Sequence, residues 1–260
     1  MSNAISLTIG TSFGDVPVNA DERGAGRPVL ILHGGAGPAS VGNFADLLAA
    51  ATGSRVIVPT HPGFGGTPRP EALNTVRGLA ELYVGLLDAL ELEDVTVIGN
   101  SIGGWITSEL ALRGSGRVGR IALVDSVGIE VEGHPVAGGL TPAQLIEHSW
   151  YDTSKAPNLD PAALPPAALE VMAGNRATLA VYGGSMTDPT LLGRLAGIDV
   201  PALVLWGEAD RIADVDYGRA FAAAIPGARF ELLQRTGHVP QMETPEVLLE
   251  ALRAFVTDQP

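Results

Sequence analysis

Short apolar runs alternate with longer amphipathic segments along the chain. Six short, mainly aliphatic runs lie at residues 29–32, 56–58, 95–98, 121–124, 202–206 and 230–233. Continuous apolar runs of this length are typical of strands that are covered on both faces of a sheet. The pattern therefore predicts six strands of a buried, mostly parallel sheet.

Apolar residues between these runs recur at intervals of three and four, which is the period of an amphipathic helix. Such segments lie at residues 44–51, 76–90, 102–112, 217–225 and 247–255. Strands that alternate with helices favour a doubly wound α/β fold. Two further runs, residues 5–9 and 13–18, predict a leading hairpin with Gly14 and Asp15 at its turn.

One interval interrupts the alternation. Residues 126–196 contain no core-strand run and are rich in proline and glycine, although Thr141 followed by Pro142 predicts the start of a helix. A strand-free stretch of about 70 residues in a regular α/β chain favours an inserted helical lid, and a loose surface excursion is the alternative. We therefore predict a core of residues 1–125 and 197–260 and a lid of residues 126–196.

Charge and composition narrow the range of partners. The 260 residues carry a formal net charge of −13, without a block of Lys or Arg, and such a surface repels phosphate backbones and anionic lipid heads. Residues 1–10 lack signal-peptide features, and no stretch is long and apolar enough to span a membrane. We expect a cytoplasmic protein that acts on a small molecule and binds neither nucleic acid nor membranes. A homo-oligomer is left open.

The stretch G-N-S-I-G-G at residues 99–104 is the sharpest chemical signal. A G-x-S-x-G between a strand and a helix is the pattern of a nucleophile elbow, a tight turn from which the serine projects. The helix N-terminus that follows favours developing negative charge. We predict that Ser101 is a nucleophile, and an ordinary glycine-rich turn is the alternative.

A serine nucleophile needs a general base, and a histidine base needs an acid that fixes its tautomer. His238 and Asp210 each follow a predicted strand, so they lie at the same carboxyl edge of the sheet as Ser101. The order Ser101, Asp210, His238 is the one expected for this architecture. The rival acids are Asp125, Glu208 and Asp214. A salt bridge of Asp210 to Arg211 is the non-catalytic alternative.

The developing oxyanion needs backbone donors. We predict the N–H of Ile102, which follows the nucleophile, and the N–H of Gly35 in the glycine-rich loop after the first buried run, with Ala36 as the alternative to Gly35. His33 in that loop is predicted to be structural. The chain has no cysteine, no phosphate-binding glycine loop and no metal-ligand spacing, so we expect no cofactor and no metal.

These features together resemble the α/β-hydrolase superfamily over about residues 29–255. The motifs that carry the resemblance are L-H-G-G-A-G at 32–37, H-P-G-F-G-G-T at 61–67, G-N-S-I-G-G at 99–104, W-G-E-A-D-R at 206–211 and G-H-V-P-Q-M-E-T-P-E at 237–246. The second motif usually begins with Asp and ends with Ser, where this chain has His61 and Thr67. The resemblance implies an α/β-hydrolase fold with a lid and a serine nucleophile.

Within the superfamily, the H-G-G loop and G-N-S-I-G-G look like the meta-cleavage product hydrolases, which cut a carbon–carbon bond beside a ketone in dienoic acids. The resemblance implies that Asn100 matches the Asn of their G-N-S motif and that Arg176 matches a lid Arg that holds the substrate carboxylate. A solvated helix residue is the alternative for Arg176. Val239 stands where that group often has Trp. Trp150 lies in the lid, where it would line a pocket or belong to the core.

We predict a cofactor-independent serine hydrolase that acts, through an acyl-enzyme or tetrahedral intermediate, on a small, partly apolar ester or related acyl substrate. The alternatives are a carbon–carbon bond hydrolase of meta-cleavage dienoic acids and a slow-turnover ligand receptor on the same fold. The candidate substrate-binding residues are Asn100, Trp150, Arg176 and Val239. Lid side chains are expected to set the specificity.

Overall fold

The computed structural model describes residues 3–158 and 162–258. In this part of the chain, eight strands form one sheet. The strands are β1 (Asn3–Thr11), β2 (Gly14–Arg23), β3 (Pro28–Leu32), β4 (Arg55–Pro59), β5 (Val95–Asn100), β6 (Val118–Val124), β7 (Ala202–Gly207) and β8 (Arg229–Leu233). Their spatial order is β1-β2-β4-β3-β5-β6-β7-β8. Strands β3 to β8 pair in parallel, and β2 pairs antiparallel with both β1 and β4. The six predicted strands are these six parallel strands, but β8 lies at the edge of the sheet and is only partly buried.

Helices cover both faces of the sheet, which is why all the residues of β5 and β7 are buried. The helices of the core are α1 (Ala39–Thr52), α2 (Val76–Ala89), α3 (Ile102–Leu112), α7 (Val215–Ala224), α8 (Pro240–Glu243) and α9 (Pro245–Thr257). Helices α1 and α9 pack in one apolar cluster, and α2, α3 and α7 pack in another. The predicted doubly wound α/β-hydrolase fold is confirmed.

The described part of the stretch between β6 and β7 consists of loops and helices, and it adds no strand to the sheet. It contains α4 (Pro142–Ser149), α5 (Pro166–Gly183), α6 (Leu191–Arg194) and single 3₁₀ turns at Thr153–Lys155 and Leu195–Gly197. Residues 159–161 of the predicted lid, and residues 1–2 and 259–260 of the predicted core, lie outside the described residues. In the described part of the chain, no helix combines the length and apolar character that crossing a bilayer requires.

Helix α4 begins where the sequence predicts. The Thr141 hydroxyl accepts the N–H of Gln144, the Gln144 side chain accepts the N–H of Thr141, and Pro142 occupies the first turn. This reciprocal capping satisfies two N–H groups that have no partner within the helix. The inserted helical segment therefore has a locally encoded start.

The leading hairpin forms with a different turn from the predicted one. Thr11 pairs with Gly14, so Ser12 and Phe13 make the turn and Gly14 begins β2. Phe13 supplied the apolar signal that placed it in a strand, but its ring packs against the core from the turn. Gly14 has φ 110°, a backbone conformation that glycine adopts without steric cost.

Candidate active site

Ser101 lies at the strained turn between β5 and α3. Its φ of 56° and ψ of −122° differ from those of both the strand before it and the helix after it, and such strain is typical of a nucleophile elbow. The flanking glycines are sterically required. A Cβ on Gly99 would lie 2.2 Å from the Gly103 carbonyl oxygen, and one on Gly103 would lie 2.1 Å from the Leu32 carbonyl oxygen. The first turn of α3 therefore packs directly against the end of β3.

Three buried side chains form a hydrogen-bonded chain behind this turn. The His238 Nε2 lies 3.0 Å from the Ser101 Oγ, and the His238 Nδ1 lies 2.7 Å from the Asp210 Oδ2. The other Asp210 oxygen accepts the N–H groups of Ile212 at 2.7 Å and Ala213 at 3.1 Å. Because Asp210 presents a fixed acceptor, His238 is held with its proton on Nδ1 and with Nε2 free to accept the serine proton. The arrangement can activate the Ser101 hydroxyl as a nucleophile.

The rival acids have other partners. Asp125 Oδ1 accepts the N–H of Gly207 at 2.7 Å. Glu208 accepts the N–H of Arg235, and Asp214 caps α7. Asp125, Asp210 and His238 are also a group of potential metal ligands in the described part of the chain, with one ligand atom from each lying within 4.8 Å of the others. Because Asp210 and His238 already bind each other, we interpret the group as an acid–base unit.

The glycine-rich loop after β3 runs past Ser101. A Cβ on Gly34 would lie 3.2 Å from the Ser101 Cβ, and one on Gly35 would lie 2.7 Å from Leu179 Cδ2 of α5. Gly37 N–H donates to the Gly34 carbonyl at 3.0 Å, which closes a tight turn. Ile102 begins α3 on the adjoining backbone. The predicted oxyanion donors, Gly35 and Ile102, thus belong to the two segments that flank Ser101.

Two buried histidines support this loop. His33 Nε2 accepts the N–H of His61 at 3.2 Å, and His61 Nε2 donates to the His33 carbonyl at 3.0 Å. The second His61 nitrogen pairs with the Tyr83 hydroxyl. Burial lowers the pKa of His33 to about 4 and holds the pKa of His61 well below its usual value, so both rings are neutral at pH 7. The prediction that His33 is structural agrees with these contacts.

This burial predicts acid sensitivity. His33 stays unprotonated in the folded protein down to about pH 4, whereas the unfolded chain binds that proton below pH 6.5. The free energy of unfolding should therefore fall by about 3 kcal/mol from this residue as the pH drops from 6.5 to 4. Urea unfolding at several pH values should show a flatter dependence in His33→Gln than in the wild type. His148→Gln is the control and should keep the wild-type slope; equal slopes in all three proteins would contradict the prediction.

Asn100 is fully engaged by the protein. Its amide donates to the carbonyls of Val124 at 3.2 Å and His238 at 3.1 Å, and its oxygen accepts the Gln241 amide at 3.1 Å. The side chain therefore ties the elbow to the His238 loop, and its polar atoms face protein groups instead of a substrate. These contacts favour a structural role for Asn100, and the substrate-binding role that the resemblance implies stays a prediction.

The structure does not bring Arg176 to the triad. Arg176 is exposed, and its neighbour Asn175 is buried. Asn175 accepts the N–H of Gly65 at 2.8 Å and donates to the Ala36 carbonyl at 3.3 Å. One residue along a helix is a rotation of about 100°, so neighbouring side chains face different ways. The exposed position of Arg176 favours the alternative of a solvated helix residue, and the substrate-binding role that the resemblance implies stays a prediction.

A polar stripe on α5 is the signal that sequence reasoning missed. Asn175, Thr178 and Tyr182 are buried and follow helical spacing. Thr178 donates to the Gly63 carbonyl at 2.9 Å, and Tyr182 donates to the Pro62 carbonyl at 2.9 Å. These bonds fasten α5 over the loops that follow β3 and β4.

A second missed residue, Glu243, joins the helical insertion to the base. Its buried carboxylate accepts the N–H groups of Gly237 at 2.7 Å, Tyr151 at 3.2 Å and Asp152 at 2.7 Å. Gly237 immediately precedes His238. The segment after α4 therefore shares an anchor with the loop that carries the base.

The predicted pocket residues Trp150 and Val239 each follow one partner of the hydrogen bond between Ser149 and His238. Trp150 is buried at the end of α4. His238 N–H donates to the carbonyl of Ser149 at 2.8 Å, so the end of α4 lies against the His238 loop. Val239, which follows the base, is half-buried. Both residues therefore lie next to His238 along the backbone or across this contact, and their substrate-binding role stays a prediction.

Comparison with known proteins agrees with this architecture. A family model described as "Alpha/beta hydrolase family" matches residues 29–251. The 2-hydroxy-6-oxononadienedioate/2-hydroxy-6-oxononatrienedioate hydrolase of Paraburkholderia phymatum is 30% identical, over 93% of this chain and 91% of that protein. A 2-hydroxymuconate semialdehyde hydrolase of Pseudomonas putida is 28% identical, over 92% of this chain and 90% of that protein.

Solved structures share the fold. A meta-cleavage product hydrolase from Pseudomonas fluorescens IP01 superposes with a TM-score of 0.74 at 24% identity, over 96% of this chain and 98% of that one. A thermophilic esterase from Thermogutta terrifontis superposes with a TM-score of 0.78 at 24% identity, over 96% of this chain and 97% of that one. The fold is thus shared by a meta-cleavage product hydrolase and an esterase.

Proposed function

This chain belongs to the alpha/beta hydrolase family, and on that premise we propose that Ser101, His238 and Asp210 are the catalytic triad of a cofactor-independent serine hydrolase. The observation that carries the proposal is the hydrogen-bonded chain from the Ser101 Oγ through His238 to Asp210, at 3.0 and 2.7 Å. The substrate is a small, partly apolar molecule with a reactive carbonyl.

The Ser101 oxygen attacks the substrate carbonyl carbon, and His238 Nε2 takes the serine proton. Asp210 balances the imidazolium charge that forms. The N–H groups of Gly35 and Ile102 bind the developing oxyanion. His238 then gives its proton to the leaving group as the bond to the acyl carbon breaks. A water molecule, deprotonated by His238, releases the acid and restores the serine hydroxyl.

We propose that the bond cleaved is the carbon–carbon bond beside the ketone of a 2-hydroxy-6-oxo dienoic acid. The curated relatives named above are hydrolases of 2-hydroxy-6-oxononadienedioate or 2-hydroxy-6-oxononatrienedioate and of 2-hydroxymuconate semialdehyde. They match this chain over 91% and 90% of their length. For this bond to break, the 2-hydroxyl proton of the dienol first moves to C5. C5 can then leave as a carbon anion that is delocalised into the adjoining keto-ene system, and this dienolate takes up the proton from His238. The ketone carbon becomes the carboxylic acid that water releases.

A neutral ester is the second candidate, and two observations favour it. A dienoic acid carries a carboxylate, which is costly to bury without a cation such as arginine. Arg176, the lid arginine assigned to that task, is exposed, and α5 instead directs Asn175 and Leu179 to the glycine-rich loop. Val239 in place of Trp also departs from the carbon–carbon hydrolase pattern.

Direct kinetics separate the candidates. We expect kcat/KM on 2-hydroxy-6-oxo-2,4-heptadienoate to exceed that on p-nitrophenyl butyrate, measured at equal pH by loss of dienoate absorbance and by nitrophenol release. A larger value for the ester supports the second candidate. Binding of either compound with one slow burst and negligible turnover supports the receptor alternative.

Arg176→Ala tests the carboxylate site. Because the side chain is exposed, we expect both substrates to keep wild-type kcat/KM. A loss confined to the dienoate would return Arg176 to the role that the resemblance implies. Such a loss would correspond to about 2–5 kcal/mol if the charge pair were buried in the complex.

We also propose the predicted division of the chain, with residues 126–196 as a lid on the core. The helices α4, α5 and α6 between β6 and β7 support it. The contacts of Asn175 with the glycine-rich loop, and of Glu243 with the segment after α4, also support it. The lid would then shape the acyl side of the site.

A further inference from the structure

Asp125 is a buried acid that the proposed mechanism leaves unused. It follows β6, is fully buried, and has φ 45°. Its Oδ1 accepts the Gly207 N–H at 2.7 Å. Its Oδ2 is also buried, and among the residues that the structure describes no hydrogen-bond donor contacts that oxygen. An ionised carboxylate would leave this oxygen unsatisfied.

The neighbours of Asp125 are acidic. One oxygen each of Asp125 and Asp210 and a ring nitrogen of His238 lie within 4.8 Å of one another, and the charge of Glu243 also acts on Asp125. Two carboxylates that share a buried site do not both ionise readily. Burial, and after it the charge of Asp210, raises the pKa of Asp125 well above its usual range.

We propose that Asp125 is a neutral carboxylic acid that donates a hydrogen bond from Oδ2 to the Asp210 carboxylate, and so acts as a positioning residue of the triad. The proposal rests on the proposed triad function. A single proton on Asp125 Oδ2 gives this buried oxygen a hydrogen-bond partner, and it also removes the repulsion between the two carboxylates. Asp210 then keeps the single negative charge that faces His238.

This hydrogen bond has a chemical consequence for the base. Asp210 already accepts from Ile212, Ala213 and His238. A further donor spreads its charge and weakens its hold on the imidazolium form of His238. Removing the donor should therefore shift the protonation of His238 to higher pH. Removing a negative charge at the same place would shift it the opposite way.

Two substitutions separate these cases. In Asp125→Asn the amide oxygen can still accept from Gly207 and the amide nitrogen can still donate to Asp210. We expect the acidic limb of the kcat/KM profile to stay at the wild-type pH in this variant. In Asp125→Ala the donor is lost, and we expect the limb to move to higher pH with reduced activity.

The contrary results are distinct. If Asp125 were ionised, Asp125→Asn would move the acidic limb down by about 1 pH unit or more. If both variants kept the wild-type limb, Asp125 would have only a structural role. Because φ 45° disfavours alanine, Asp125→Gly serves as the non-donor variant if Asp125→Ala fails to fold, and it should shift the limb in the same direction.

A measurement without substrate completes the test. At pH 7, the infrared spectrum of the wild type minus that of Asp125→Asn should show the C=O stretch of a protonated carboxylic acid as a positive band. Absence of the band in the wild type would overturn the inference. If the protein hydrolysed neither substrate class, the proposed function would fail, while the band would still decide the state of Asp125.

Discussion

Ser101→Ala is expected to lower kcat by about 10⁶, while the protein keeps its fold. The variant removes the oxygen that lies 3.0 Å from His238 Nε2 and leaves only binding and the oxyanion donors. Alanine at φ 56° carries about the same backbone strain as serine. Steady-state kinetics on the preferred substrate, with circular dichroism as the folding check, measure the effect.

Ser108→Ala is the matched control for this variant. Ser108 is also buried on α3, but its hydroxyl donates to the Gly104 carbonyl at 3.0 Å and makes no contact with the triad. This control should keep activity and should react with a fluorophosphonate probe, whereas Ser101→Ala should not be labelled. An Ser101→Ala protein with a tenth of wild-type activity would show that the nucleophile is another residue.

The strand ends and turns that position the candidate site are specified by short local sequence patterns, and for that reason the sequence predicts their positions. Ser101, Asp210 and His238 each follow a strand, and parallel strands bring their carboxyl ends to one edge. The glycines around Ser101 indicate a tight turn, because no side chain fits where α3 packs against β3. The predicted elements of the sheet depend on the same short-range apolar patterns.

Side-chain contacts between segments that are distant in sequence could not be predicted from local patterns. Asn100 engages residues 24 and 138 positions away, and Glu243 engages residues 91 and 92 positions before it. No local pattern specifies those partners. On α5, the buried Asn175 and the exposed Arg176 are neighbours in sequence but face different ways, because each position rotates by about 100°. The turn at Phe13 misled for a related reason, since an apolar ring can pack from a loop as well as from a strand.

Asp210→Asn is expected to lower kcat by about 10⁴ at neutral pH. The N–H groups of Ile212 and Ala213 both donate to one Asp210 oxygen. They would hold the oxygen of the introduced amide at that place, so its NH₂ group would face His238. The ring nitrogen Nδ1 would then have to accept, and the proton would move to Nε2. His238 in that tautomer cannot take the proton of Ser101.

Glu208→Gln is the matched control, because Glu208 lies two residues away at the same strand end and accepts the Arg235 N–H outside the triad. It should keep near wild-type kcat, and so should Asp125→Asn. The tautomer explanation also predicts that Asp210→Asn leaves KM nearly unchanged, since Asp210 is buried behind the ring. Should Asp125→Asn cost more activity than Asp210→Asn, the acid of the triad would be Asp125, because the loss would then follow the carboxylate at the end of β6.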